Sequence, residues 1–185
     1  GNESEYALAS FEQFLELQPN NDQIWLIRGM ILSDLGRYEE AIASYDKALE
    51  IQPDTLYAWC LRGIALYHLE RYEEAIASCD KAIDINPDDY NVWYFRGIAL
   101  SDLERYEEAI SSYDKALDIT PDEHYAWYRR SNALFHLGRY EEAISSYDKA
   151  IEIKPDDHYA WYHRGDALFH LGRYEEAIAS YDKAI

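Results

Sequence analysis

Histidine recurs at one place in three segments of the chain, and this is the pattern that could ligate a metal ion. His68, His136 and His170 are separated by 34 residues or by twice that number. Equivalent places on stacked helices should lie about 10 Å or more apart, given helix packing distances of about 8–10 Å, which is too far for two imidazoles to share one ion. We therefore expect no metal site. A pH-responsive surface at these histidines stays open as an alternative, because imidazole titrates near neutral pH.

Residue sets that carry out catalysis are missing from the sequence. We find no Ser/His/Asp or Cys/His set with a plausible orienting geometry and no glycine-rich phosphate loop. Paired carboxylates such as Glu39-Glu40 recur in every segment, which indicates a solvated scaffold face. We expect neither enzymatic activity nor a cofactor, and we expect His124 and His158 to lie near helix starts in solvent.

The tryptophans and prolines lie on one 34-residue spacing. The tryptophans are Trp25, Trp59, Trp93, Trp127 and Trp161, and the prolines are Pro19, Pro53, Pro87, Pro121 and Pro155. Such a period predicts a stack of one small unit. The units are 22–55, 56–89, 90–123, 124–157 and a shorter 158–185, preceded by 1–21 as the second helix of an earlier unit. We expect one elongated domain over 1–185, cut from a longer protein.

Each unit has the pattern of two helices. In unit 56–89 apolar or small residues fall at helical spacing from Leu56 to Leu69 and again after Tyr72. A break is expected at residue 70, which is Gly in three units and Glu in two. Because Gly suits the left-handed residue that ends a helix, each Glu should cost about 1 kcal/mol there.

The order and spacing of Trp59, Gly63, Leu66, Tyr72, Ala75, Ala82 and Pro87 resembles the tetratricopeptide repeat. The resemblance implies an all-α, right-handed superhelical solenoid of antiparallel helix pairs, with first helices lining a concave groove. It also implies a protein-interaction scaffold that binds a peptide segment of a partner. Two departures are Arg in place of the usual Leu before the glycine, and Ser131 in place of that glycine once.

One arginine stands before the glycine place in each of the five units, and these five arginines could form a basic stripe or pair with acids. Folding the chain back at residue 54 brings Arg62 level with Asp46, and the same reflection pairs each of the other four arginines with an acid. We predict partly buried ion pairs between successive units, beside the tryptophans, rather than a ligand site. The remaining pairs are Arg28 with Glu12, Arg96 with Asp80, Arg130 with Asp114, and Arg164 with Asp148.

Variation between units collects on one stripe of the first helix, at its second, fifth, sixth, ninth, twelfth and thirteenth places. Steps of three and four residues put these places on a single face, and the family resemblance assigns that face to the groove. The stripe is apolar in the N-terminal units and aromatic and polar in the C-terminal units, and the latter composition suits peptide contacts by tyrosine. The candidate site residues are Tyr57, Tyr94, Tyr125, Tyr128, Arg129, Asn132, Tyr159, Tyr162, His163 and Asp166.

The amino-acid composition limits the classes of partner that the chain can bind. Seventeen Lys and Arg stand against 36 Asp and Glu, a formal net charge of −19, which disfavours nucleic acid and anionic membranes. We expect a neutral or basic protein or peptide. Cys60 and Cys79 do not recur, and no segment has the pattern of a membrane span or a secretion signal, so we expect a cytoplasmic location.

Two further functions stay open. Unpaired faces at the ends of a solenoid could stack copies end to end, which would make the chain a spacer or self-assembly element. The array could also be the regulatory repeat domain of a larger multidomain protein.

Overall fold

A computed structural model describes residues 2–185, and within them the chain forms eleven α-helices and no strands. The helices are α1 Asn2–Leu17, α2 Asp22–Asp34, α3 Tyr38–Ile51, α4 Leu56–His68, α5 Tyr72–Ile85, α6 Tyr90–Asp102, α7 Tyr106–Ile119, α8 His124–His136, α9 Tyr140–Ile153, α10 His158–His170 and α11 Tyr174–Lys183. From α2 onward each predicted repeat holds one helix pair, which confirms the all-α repeat fold.

The turn inside each repeat has one geometry whichever residue occupies it. Gly36, Gly138 and Gly172 have φ of 73°, 73° and 74°, while Glu70 and Glu104 have φ of 58°. Around Glu70 two backbone bonds close the helix end: Glu70 N–H donates to Tyr67 O at 2.9 Å, and Arg71 N–H donates to Leu66 O at 2.9 Å. The left-handed break that the sequence predicts at residue 70 is therefore confirmed.

Packing within a repeat favours a glycine at the eighth place of the first helix, where a tyrosine of the second helix lies close to Gly29, Gly97 and Gly165. A Cβ on Gly29 would lie 2.4 Å from Tyr45 Cε1, and one on Gly97 would lie 2.5 Å from Tyr113 Cε1. Real atoms do not approach so closely, so the tyrosine ring of the second helix occupies the space of the missing side chain. Ser131 takes this place once, with its hydroxyl donating to Trp127 O at 2.7 Å.

The shared spacing of tryptophan and proline has a direct cause. The indole Nε1 of Trp59 donates to the carbonyl of Pro53 at 2.8 Å, which ties the start of a first helix to the loop before it. The same bond joins Trp25 to Pro19, Trp127 to Pro121 and Trp161 to Pro155.

The arginine ladder is structural, as predicted for four of its pairs. Arg62 Nε lies 2.6 Å from Asp46 Oδ1 on the preceding repeat, its Nη1 donates to Ser78 Oγ at 2.7 Å, and its guanidinium lies 5.8 Å from the Trp59 ring centroid. The other confirmed pairs are Arg28 with Glu12, Arg130 with Asp114, and Arg164 with Asp148. The pair of Arg96 with Asp80 stays a prediction.

The chain divides after Asp88 into two compact units. In the first, α1 to α5 enclose a core that includes Leu32, Tyr45 and Leu66. In the second, which holds α6 to α11, side chains of α7 to α10 pack around Leu134 and Tyr147. The expectation of one continuous domain over 1–185 stays a prediction.

Candidate interaction surface

We use the name first-helix face for the variable stripe defined above. On this face the second compact unit, Asp89–Ile185, exposes large aromatic side chains. Tyr125 is 60 % exposed, Tyr159 is 73 % exposed and Tyr162 is 50 % exposed. Arg129 is also exposed, whereas the equivalent His163 is half-buried. Rings held open to water on the packed helices α8 and α10 can contact a partner without refolding of the scaffold.

Two other predicted tyrosines are half-buried and form the floor of this face. The Tyr94 ring stacks on Tyr90 with 5.6 Å between centroids. The Tyr128 ring lies 6.2 Å from that of Tyr147 and 6.1 Å from that of His163 on the next first helix. These two tyrosines pack largely against their own neighbours.

The charge of Arg129 acts on the floor of the face. Burial raises the pKa of the Tyr94 hydroxyl, and Arg129 partly opposes this rise through its charge and a hydrogen bond to the phenol. Arg129 is the single Lys or Arg on the first-helix face of α6, α8 and α10.

Asn132 and Asp166 lie on the face but accept hydroxyls from tyrosines of the second helices, of which Tyr147 is buried and Tyr181 is half-buried. Tyr147 donates its hydroxyl to Asn132 Oδ1 at 2.6 Å, and Tyr181 donates its hydroxyl to Asp166 Oδ1 at 2.7 Å. The second oxygen of Asp166 lies 3.5 Å from His163 Nδ1. The polar residues at this place therefore satisfy hydroxyls that would otherwise be buried without a partner.

In two other repeats a serine is the hydrogen-bond partner of the second-helix tyrosine. Tyr45 is hydrogen-bonded to Ser33 and Tyr113 to Ser101, each at 3.1 Å between hydroxyl oxygens. Where Phe135 and Phe169 replace that serine, Asn132 and Asp166 supply the acceptor one turn earlier.

In the first compact unit, which ends at Asp88, the first-helix face is more apolar. Tyr57 is 53 % exposed on α4, with Ile64 at 41 % on the same helix and Ile27 at 38 % on α2. Of the predicted site residues, Tyr57 belongs to this unit, and the structure brings the other nine together in the second.

The expectation that His124 lies in solvent is wrong, whereas His158 is exposed. The His124 side chain is 9 % exposed and its Nε2 lies 2.5 Å from Asp157 Oδ2, while Asp157 Oδ1 caps α10 by accepting from Tyr159 N–H and Ala160 N–H. Neither imidazole nitrogen meets the geometry of a hydrogen bond. The start of the next first helix, α10, lies beside His124 and covers it. The sequence pattern of one helix does not show this contact, so the burial was missed.

The three recurring histidines stack on tyrosines of the preceding repeat. The centroid distances are 4.7 Å for Tyr38 with His68, 4.9 Å for Tyr106 with His136 and 4.9 Å for Tyr140 with His170. Across residues 2–185, no three His, Cys, Asp or Glu side chains form a group that could hold a metal ion. None of the described helices combines the length and apolar character needed to cross a bilayer.

The stacked helix pairs and their bonds between repeats define the class of α-helical repeat proteins. Family models described as tetratricopeptide repeat match residues 2–55, 32–90, 86–124 and 94–158, and another with the same description matches 158–185. The chain therefore belongs to the tetratricopeptide repeat family. No curated protein matches the sequence.

Solved structures share the fold. A MamA structure is 24 % identical, covers 88 % of this chain and 89 % of its own, and has a TM-score of 0.85. A MamA fragment from Desulfovibrio magneticus RS-1 is 20 % identical, covers 88 % and 92 %, and has a TM-score of 0.83. YrrB, described as a TPR protein with an unusual peptide-binding site, is 26 % identical, covers 95 % and 90 %, and has a TM-score of 0.82.

Proposed function

We propose that this chain is a protein-interaction scaffold that binds an extended segment of a partner protein on the first-helix face. The observation that carries the proposal is the exposure of Tyr125, Tyr159 and Tyr162 on the first-helix face of α8 and α10. Tyrosine combines a large rigid contact area with a hydroxyl, and few torsions are frozen on binding. The described peptide site of YrrB supports the same class of partner.

The residues that recur in every repeat have structural roles that need no ligand. In each of the five repeats an arginine directly before the second helix bonds the glutamate three residues later, as Arg139 Nε donates to Glu142 Oε1 at 2.8 Å. This bond lowers the pKa of Glu142. The acidic outer face is thus part of the scaffold, and the net charge of −19 over the whole chain favours a partner segment that is neutral or basic overall.

A second candidate function is association through an end of the array. Ile178 on α11 is 60 % exposed, whereas the equivalent Ile110 and Ile144 are 6 % and 7 % exposed because the next repeat covers them. A further helix pair or another copy of the chain would bury this face. Sedimentation at increasing protein concentration would then report a rising mass.

The binding proposal is tested by selection from a random displayed peptide library. Wild type is compared with a variant carrying alanine at Tyr125, Tyr128, Tyr159 and Tyr162, whose helicity is first checked by circular dichroism. We expect peptides enriched on wild type and lost on the variant. Peptides that bind both proteins equally would move the site elsewhere, and a wild type that enriches no peptide would contradict the proposal.

A further inference from the structure

Helices α8 and α10 each present two tyrosines at equivalent places. We call Tyr125, Tyr128, Tyr159 and Tyr162 the tyrosine track; the equivalent places of α6 hold Asn91 and Tyr94. We propose that the tyrosine track binds a proline-rich segment in the polyproline II conformation. This inference rests on the proposed function and specifies the chemistry of its partner.

General helix packing predicts a spacing of the track close to the repeat of that conformation. Helices α8 and α10 contact each other directly, and contacting helices have axes about 8–10 Å apart. On this face the rings of Tyr128 and His163 lie 6.1 Å apart between centroids, and those of Phe135 and His170 lie 5.4 Å apart. A polyproline II helix advances about 3.1 Å per residue with three residues per turn, or roughly 9 Å per turn. A segment crossing both helices would place residues three apart on equivalent tyrosines.

The side chains of the track suit this backbone. Tyr125, Tyr159 and Tyr162 are 60 %, 73 % and 50 % exposed, so their rings can pack against pyrrolidine rings. Their hydroxyls can donate to carbonyls of the segment, because polyproline II makes no internal hydrogen bonds. A proline-rich segment is already extended and loses little conformational entropy on binding.

The half-buried Tyr128 gives the track a fixed floor. Its ring lies parallel to the buried His124 ring, with 9° between planes and 6.4 Å between centroids, and it also packs against Tyr147. His124 is itself held beside Asp157 at the start of α10. A prearranged floor lowers the cost of ordering side chains when the segment docks.

Charge on the face agrees with an uncharged core of the ligand. The track itself contains no charged side chain; on the same face Arg129 bonds the Tyr94 phenol, and one oxygen of Asp166 accepts the Tyr181 hydroxyl. Recognition therefore relies on ring contacts and phenol donors, while the chain's net charge of −19 would attract basic residues that flank the prolines.

The first test uses fluorescein-labelled decaproline and an equally long Gly-Ser peptide in fluorescence anisotropy. We expect wild type to bind decaproline and to leave the Gly-Ser peptide free. Tyr159→Ala should weaken binding about tenfold and Tyr159→Phe less, since phenylalanine keeps the ring. Tyr174→Ala is the matched control, because Tyr174 is 57 % exposed but lies on α11. Equal losses for Tyr159→Ala and Tyr174→Ala would overturn the inference.

A second test reads the period directly. Peptides of equal length carry two prolines in a Gly-Ser background at separations of one to five residues, and we expect the tightest binding when the prolines are three residues apart. Binding that does not depend on this separation would contradict the spacing argument. If decaproline fails to bind while library peptides still bind in a tyrosine-dependent way, only the proline inference fails. If library peptides also fail, the proposed function fails with it.

Discussion

Glycine in place of Glu70 or Glu104 should stabilise the protein. Both glutamates adopt φ of 58° at the turn between first and second helix, where three other repeats have glycine at φ of 73° or 74°. This left-handed region crowds the Cβ of an L-residue, whereas glycine adopts it freely. The hydrogen bonds that close the turn are alike in both cases, with Gly138 N–H donating to Phe135 O at 2.9 Å.

The size of the effect follows from two opposing contributions. A residue with a side chain loses about 1–2 kcal/mol in the left-handed conformation. Glycine loses about 0.5–1 kcal/mol through the greater freedom of the unfolded chain. The net gain is about 1 kcal/mol per site, which for a chain of this length raises the melting temperature by roughly 2–4 °C.

The assay is urea unfolding followed by circular dichroism, with Glu70→Gln as the charge control. Glutamine keeps the strained backbone and removes one of the negative charges that give the net −19. The reverse change, Gly138→Glu, should destabilise by a similar amount, because a Cβ there meets nothing within 4 Å. If Glu70→Gln stabilises as much as Glu70→Gly, charge relief and not backbone strain would be the cause.

Three further predictions concern the core. Gly97→Ala should lower the free energy of unfolding by about 1–3 kcal/mol, because its Cβ would lie 2.5 Å from the Tyr113 ring; an unchanged urea midpoint would contradict this packing. Arg130→Lys should cost about 1–3 kcal/mol by the same assay, since lysine cannot keep both the 2.6 Å bond to Asp114 and the bond to Ser146. Burial raises the pKa of the Tyr113 hydroxyl above its ordinary value of 10.0, so its stabilising effect is complete below about pH 10 and declines as the unfolded chain ionises at higher pH. Phenolate absorbance should therefore reach its full value only as helicity is lost, and full ionisation of a still helical chain would refute this.

Much of the fold could be predicted because each repeat encodes it again. The spacing of Trp59, Gly63 and Pro87 gave the helix pairs, and the reflection about residue 54 gave the pair of Arg62 with Asp46 at 2.6 Å. Both follow from local periodicity and from chain reversal at a short turn. The cause of the tryptophan spacing, an indole bond to a proline carbonyl, needed the folded loop.

The candidate site was less accessible to sequence reasoning. Helical periodicity places Asn132 and Asp166 on the first-helix face, but it does not show that they accept hydroxyls from Tyr147 and Tyr181 on the second helix. The burial of His124 likewise depends on the repeat that follows it. An observable signal was the exchange of Ser33 and Ser101 for phenylalanine in the repeats that carry Asn132 and Asp166.

The most direct test of partner binding on the first-helix face is site-specific photo-crosslinking. A benzoylphenylalanine replaces Tyr159 on α10 in one protein and Tyr174 on α11 in another, and each is irradiated with the library peptide most enriched on wild type. Both tyrosines are more than half exposed, at 73 % and 57 %. The account predicts crosslinked peptide at position 159 and none above background at position 174. Crosslinking at position 174 that equals or exceeds that at position 159 would contradict it.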